Sequence, residues 1–354
     1  MSMTYLNAAG HGLPDRRVVR RMIRHLEREA EIGAEEAAAE SAGDLAQTRA
    51  NAARLLGAGL EETGLASTTV ATWLAIVARL DMAGKRVLVA PHEWGANLRL
   101  LDRIASQNGA HIERLPPIDF ATPDLSAWAE RIDEDVAAIC TPMVTSVTGH
   151  PYPVAAIGTL PRPESARFIV DAAQAVGQVP VRVAELGCDA LVATTRKWVR
   201  GPRQSAIFWM SPGLGQPGLI EPMDANLAVR LGQGEALRLV LEEPGETYAA
   251  SLAPLNTHAR ARAADQGLRC LTPQDAGTAA VALAIPQAMR DPISSALAEA
   301  DILVKWPTPW HEEPDSELAA PDFAVMRISP HVYNTADQID AVFDVIARTA
   351  RTAA

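Results

Sequence analysis

Short apolar runs alternate with amphipathic stretches through the first two thirds of the chain. Val87–Ala90, Val136–Cys140, Phe168–Val170, Ala190–Ala193 and Ala206–Trp209 have the length and the β-branched or aromatic content of buried strands. Between them, Asn97–Asn108 and Asp124–Ile132 repeat apolar residues at helical spacing. Upstream, a helix is predicted over Asp15–Ile32 with Val18, Met22, Ile23 and Leu26 on one face, and a second over Asp44–Leu56 ending at Gly57. The Ala/Glu stretch Ala34–Ala42 is expected to continue a helix surface. Such alternation predicts an α/β protein with a mainly parallel sheet sandwiched by helices. Sheets of this kind carry their sites at the carboxyl ends of strands.

From Ser211 to Gly245 the pattern breaks up into Gly, Pro and Glu, and a domain change is expected there. Helical patterns return at Ala276–Met289 and Asp337–Ala350, with strand candidates at Ile302–Val304 and Ala324–Ile328. The predicted organisation is an N-terminal arm (1–14), a large domain (15–245) and a smaller C-terminal α+β domain (246–354).

Charge and cysteine usage narrow the function. A formal net charge of -11 disfavours a nucleic-acid or anionic-membrane partner, since both require clustered cations. The arginines from Arg16 to Arg28 are interleaved with glutamates from Glu27, as on a solvated helix. Cys140, Cys188 and Cys270 form no CxxC, so neither a disulfide framework nor a zinc site is expected. The start MSMTYLNAAGHG lacks a basic-then-apolar signal pattern, and Val70–Leu80 is broken by Arg79 before reaching membrane length. A cytoplasmic protein without a metal is expected.

Four predicted strand ends carry polar residues suited to chemistry. FIVDAAQ sets Asp171 directly after a strand, with Gln174 beyond it; ALVATTRK sets Thr194, Arg196 and Lys197 after another. GLASTTVATW holds Ser67, Thr68 and Thr69 before a helix, and VLVAPHEWGANL holds His92, Glu93 and Trp94 after a strand. Each alone admits a plain reading: a loop cation, a helix cap, a core tryptophan. One cofactor would use all four. Pyridoxal phosphate needs an amine for a Schiff base, a carboxylate against its ring nitrogen, an anion site such as a helix N-terminus, and an aromatic surface. Lys197, Asp171, Ser67–Thr69 and Trp94 fit these needs in that order.

The motifs VDAAQAVG and CDALVATTRKWVRGP resemble the core of the class V aminotransferase superfamily of pyridoxal-phosphate enzymes, fold type I. The resemblance runs from YLNAAGHG at Tyr5 to RISPHVYN at Arg327. It implies Lys197 as the Schiff-base residue, Asp171 at the ring nitrogen and Gln174 at the ring hydroxyl. It further implies Thr145 as a ring or substrate contact, Thr194 and Arg196 as phosphate contacts, and Arg327 as the clamp on a substrate carboxylate. Asn7 and His11 line the substrate pocket in this reading; a simple turn at Asn-Ala-Ala-Gly-His-Gly is the alternative. A homodimer and a small amino-acid substrate are also implied. Within the superfamily, REAEIGAEEAAAE, EWGANL and RKWVRGPR are similar to hercynylcysteine sulfoxide lyases, which implies β-elimination at carbon–sulfur bonds. Gln204-Ser205 departs from the usual glycine followed by a small residue, so the turn after Lys197 is expected to differ. Transamination to a 2-oxoacid is the alternative reaction, and a cofactor-binding regulator is a third, non-enzymatic reading. Persulfide chemistry is disfavoured, because Trp306–Asp322 contains no cysteine.

Two motifs are set aside. Gly213-Leu-Gly-Gln-Pro-Gly218 matches GxGxxG, yet flanking prolines and the lack of a following helix speak against a dinucleotide loop. His92-Glu93 begins like a zinc-protease motif, but Ala96 stands where the second histidine is needed.

Overall fold

A computed structural model describes residues 3–221 and 226–353 of the 354-residue chain. Strand β1 (Thr4–Tyr5) opens it, followed by helices α1 (Arg16–Ile32), α2 (Ala34–Glu40) and α3 (Ala42–Leu56). The large sheet is then built from β2 (Thr63–Ala66), β3 (Arg86–Val89), β4 (His111–Arg114), β5 (Val136–Pro142), β6 (Arg167–Asp171), β7 (Ala190–Thr194) and β8 (Ala206–Met210). Their order across the sheet is β2-β8-β7-β6-β5-β3-β4, and all pairs are parallel except the two made by β8. Helices α4 (Thr69–Val77) and α5 (Gly95–Asn108) follow β2 and β3. One apolar cluster lies on each face of the sheet, which is why the central strands read as continuous apolar runs instead of alternating ones. This is the predicted α/β architecture.

Three smaller elements complete the C-terminal part: β9 (Arg269–Cys270), β10 (Val281–Pro286) and β12 (Phe323–Ile328) form an antiparallel sheet with β10 in the middle. The short strand β11 (Ile302–Leu303) pairs in parallel with β1, so the N-terminal arm is tied into this part of the molecule. A third apolar cluster, including Val281, Leu283, Met326 and Phe343, fills the space between this sheet and its helices. Among the described residues, no helix is long and apolar enough to cross a membrane.

Several local expectations need correction. The stretch Ala276–Met289, read as helical, contains β10. Its Ala and Leu content favours a helix, but strands on both sides bond its backbone, and tertiary pairing outweighs propensity. Helix Leu227–Leu241 lies inside the segment read as a broken connection. The glycines that help break the pattern there have a packing role: a Cβ at Gly234 would collide with the Thr48 side chain of α3, and one at Gly232 would lie 2.6 Å from Met22 of α1. Those glycines allow close helix approach instead. Asp124–Ile132 shrinks to a single turn, Ser126–Ala129, anchored by the Trp128 indole donating to the Pro116 carbonyl at 2.8 Å. Of the predicted α1 face, Val18 is buried but Ile23 and Leu26 are exposed. Gly33 (φ 94°) separates α2 from α1. Pro212–Leu214 and Pro217–Leu219 are single 3-10 turns, so the GxGxxG segment opens no α-helix directly.

Candidate active site

A cavity of ≈ 800 Å³, its open mouth included, lies at the carboxyl ends of the central strands. Asp171 ends β6 and Thr194 ends β7, while β3 leads into the turn His92–Trp94. The backbone continues the sheet past β6, with the Ala172 N–H donating to the Val192 carbonyl at 2.8 Å. The wall includes Thr69, Val70, Trp94, Ser146, Asp171 and Gln174, together with Thr194, Arg196, Lys197 and Arg327. Residues from nearly the whole length of the chain therefore meet in one place.

The lysine loop is held by the N-terminal arm. Gly12 N–H donates to the Arg196 carbonyl at 2.8 Å, and the Arg196 guanidinium donates to the Gly10 carbonyl. Gln174 Nε2 donates to the Ala9 carbonyl at 3.1 Å, while its Oε1 accepts from the Trp198 indole at 3.0 Å. Any side chain at position 12 would strike the Lys197 carbonyl, which explains glycine there. At the far end of the loop Gln204 adopts φ 61°, the left-handed conformation a glycine holds without penalty.

Burial, and next the neighbouring Arg196 charge, lower the Lys197 amine to about 7. Its Nζ lies 6.0 Å from the centroid of the Trp94 ring. Asp171 accepts from the Ala173 N–H at 2.8 Å and from Asn97 Nδ2 at 2.9 Å. Burial pushes its carboxyl up, and facing Lys197 opposes that. Arg327 is 2% exposed; it donates to the Ser146 carbonyl, and among the described residues its Nε has no partner. A buried arginine with an unused donor is suited to hold an anion.

Not every expected residue reaches the wall. Thr68 caps α4, accepting from the Ala71 N–H at 3.1 Å, and neither it nor Ser67 lines the cavity; Thr69 and Val70 of the first turn do. Thr145 is consumed in its own turn, bonding Thr148 Oγ1 at 2.8 Å and the His150 N–H at 2.9 Å, so Ser146 takes its place at the wall. Asn7 packs behind Gly10, where a Cβ would lie 2.6 Å from its Oδ1. His11 sits beside it; burial, then the Arg196 charge, lower its imidazole. Neither Asn7 nor His11 lines the cavity.

Sequence reasoning missed Lys305 and Glu312, which do line it. Glu312 is 5% exposed, and its Oε1 lies 3.4 Å from Lys305 Nζ. No motif surrounds either residue; the backbone bridge of Lys305 to Arg327 and the short helix Pro309–Glu312 bring them in. None of the three cysteines lines the cavity.

The residues present fit pyridoxal phosphate on these observations. The first turn of α4 presents N–H groups at Thr69 and Val70, the free end of a helix on which a phosphate sits well, and the Arg196 cation lines the same cavity. A buried lysine with a lowered amine and a buried aspartate face one another beside an aromatic ring.

Comparison with known proteins agrees. Residues 4–215 match the family model described as aminotransferase class-V. The chain belongs to that family. It is a pyridoxal-phosphate-dependent enzyme. It is 30% identical over 285 residues to a probable hercynylcysteine sulfoxide lyase of Mycobacterium tuberculosis, covering 74% of this chain and 69% of that protein. An uncharacterised aminotransferase of Bacillus subtilis is 24% identical over 84% of this chain and 82% of its own length. Among solved structures, the apo cysteine desulfurase of Thermococcus onnurineus superposes with a TM-score of 0.87 at 19% identity, over 99% of this chain and 95% of that one. A cystine C–S lyase complex superposes with a TM-score of 0.86 at 16% identity, over 98% and 97%. These superpositions identify the fold, which is that of the fold type I enzymes.

Proposed function

We propose that this enzyme is a carbon–sulfur lyase that performs β-elimination on an S-substituted cysteine or its sulfoxide. The observation that carries this reading is the 30% identity, over most of the chain, to a protein described as a probable hercynylcysteine sulfoxide lyase. Pyridoxal phosphate, when bound, supplies an electron sink for the charge left at the substrate α-carbon. Lys197 would bear it, with Asp171 suited to the ring nitrogen, Gln174 to the ring hydroxyl and Trp94 to the ring face. The first turn of α4, with Thr194 and Arg196, would hold the phosphate. Arg327 takes the α-carboxylate, using the donor the protein itself leaves unpaired.

Once displaced by substrate, Lys197 Nζ is a neutral amine above pH about 7 and accepts the α-proton. The Cβ–S bond then breaks and its electron pair leaves with sulfur. The aminoacrylate product takes up water and breaks down to pyruvate and ammonia. Lys305 and Glu312 lie beyond this centre with opposite charges and suit a zwitterionic substituent on the sulfur. No cysteine at the wall is available to accept sulfur, which supports elimination over persulfide transfer.

The test supplies S-substituted cysteine sulfoxides, the hercynyl conjugate among them, without a 2-oxoacid. Catalytic pyruvate release, abolished in Lys197→Ala, is expected. Conversion of the cofactor to its pyridoxamine form without pyruvate would instead establish transamination, the reading that similarity to the Bacillus subtilis aminotransferase favours. We further propose a homodimer, supported by the exposed apolar stripe Val19, Ile23 and Leu26 along α1.

A further inference from the structure

We propose that Glu93, Asn97 and Asp171 form one buried unit with a single negative charge, in which Asn97 keeps the charge on Asp171 and Glu93 holds a proton. This rests on the assignment of Asp171 to the ring nitrogen. All three side chains are buried, and Glu93 and Asn97 are completely so. Asn97 Nδ2 spends its two hydrogens on the two carboxylates, reaching Glu93 Oε1 at 2.9 Å and Asp171 Oδ2 at 2.9 Å. One amide thereby ties the turn after β3 to the end of β6.

The two carboxylates differ in what else they meet. Asp171 receives a second backbone donor, Ala173 N–H at 2.8 Å, and faces the Lys197 amine. Among the described residues, Glu93 receives only the Trp94 N–H at 3.0 Å besides Asn97, and its Oε2 is buried without a partner. The charged groups that bear on it are Asp171 and Glu313, both carboxylates, and the other titratable groups it faces, Cys140 and Tyr152, are also acids. Two buried carboxylates bridged by one amide do not both ionise, and the one without a cation keeps the proton. Burial, reinforced by the Asp171 charge, pushes the Glu93 carboxyl well above the usual carboxylate range.

The functional consequence falls on Asp171. One negative charge opposite one protonated ring nitrogen leaves the buried pair neutral. Asn97 fixes the orientation of the Asp171 carboxylate, so Asn97 and Glu93 are positioning residues; neither lines the cavity.

The decisive experiment compares the urea midpoints of wild-type apoprotein and Glu93→Gln between about pH 5 and about pH 8. A carboxyl raised on folding stabilises at low pH, and that contribution fades as pH rises through its folded value. The midpoint of Glu93→Gln should therefore gain on wild type as pH rises. A difference independent of pH would show Glu93 ionised throughout and overturn the proposal. If Glu93→Gln does not fold, glutamate-labelled infrared spectra of wild type at neutral pH replace it. A protonated-acid carbonyl band is expected, and its absence is the negative result.

Asn97→Leu removes both bonds at similar size, and should weaken pyridoxal phosphate binding to the apoprotein about tenfold or more. Asp171→Asn is the control for the underlying assignment. If Asp171→Asn leaves cofactor affinity and visible absorbance untouched, that assignment fails. If Asp171→Asn weakens binding and Asn97→Leu does not, the proposed unit alone fails.

Discussion

Lys197 shows how the local surroundings prepare a side chain. Burial removes water from the ammonium, and Arg196 disfavours it further, so the free amine dominates above pH about 7. Capture of pyridoxal phosphate by the apoprotein should therefore accelerate with rising pH and level off above about pH 7. Arg196→Gln removes the second of these causes and should move that midpoint upward; stopped-flow absorbance measures both. Arg327 gives a different kind of prediction. Its planar fork suits a carboxylate in a way a lysine does not, so Arg327→Lys should raise KM for the amino-acid substrate by about tenfold or more. Steady-state kinetics over a substrate series decides it, and an unchanged KM would remove Arg327 from the carboxylate role.

Elements carry their own tests. The helix Leu227–Leu241 packs against α1 and α3 only because Gly232 and Gly234 have no side chains. Gly234→Val should lower stability by about 1–3 kcal/mol through overpacking against Thr48, read as a shift in the denaturation midpoint. At Gln204 the backbone, not the packing, sets the outcome. Gln204→Gly should be neutral or stabilising, whereas Gln204→Val should cost about 1–2 kcal/mol in the left-handed conformation. The central strands, α3 and α5 were legible because each carries its own pattern of buried positions over a handful of neighbours, whereas α1 was legible as a helix although Ile23 and Leu26 of its predicted face are exposed. β10 was not, since its partners Arg269–Cys270 and Phe323–Ile328 lie 11 or more residues away in sequence and supply the bonds that make it a strand. The helix Leu227–Leu241 was hidden for a related reason: its glycines are explained only by the helices they touch.

On the scale of the whole molecule, the N-terminal arm is the part that joins everything. It pairs with β11, bonds the lysine loop through Gly12 and Arg196, and covers Gln174 through Ala9. The exposed stripe on α1 leads to an expectation about assembly. Wild type should run as a dimer in light scattering, and Ile23→Glu should shift it toward monomer, since a charge cannot be buried there without a partner. A dimer unaffected by this change would place the interface elsewhere.

The amino-acid sequence by itself determined the α/β class, the strand ends and the chemical identity of the central pair. A lysine and an aspartate directly after apolar runs are placed by the strands that precede them, and that placement is local. Tertiary structure alone decided which polar residues complete the wall. Thr145 turned inward to its own turn, Ser67 and Thr68 fell outside, and Lys305 and Glu312 came in from a loop without any motif. It also decided that Glu93 and Asp171, 78 positions apart, share one amide. Side-chain direction and long-range contact depend on how elements pack, and that information is absent from any short stretch of chain.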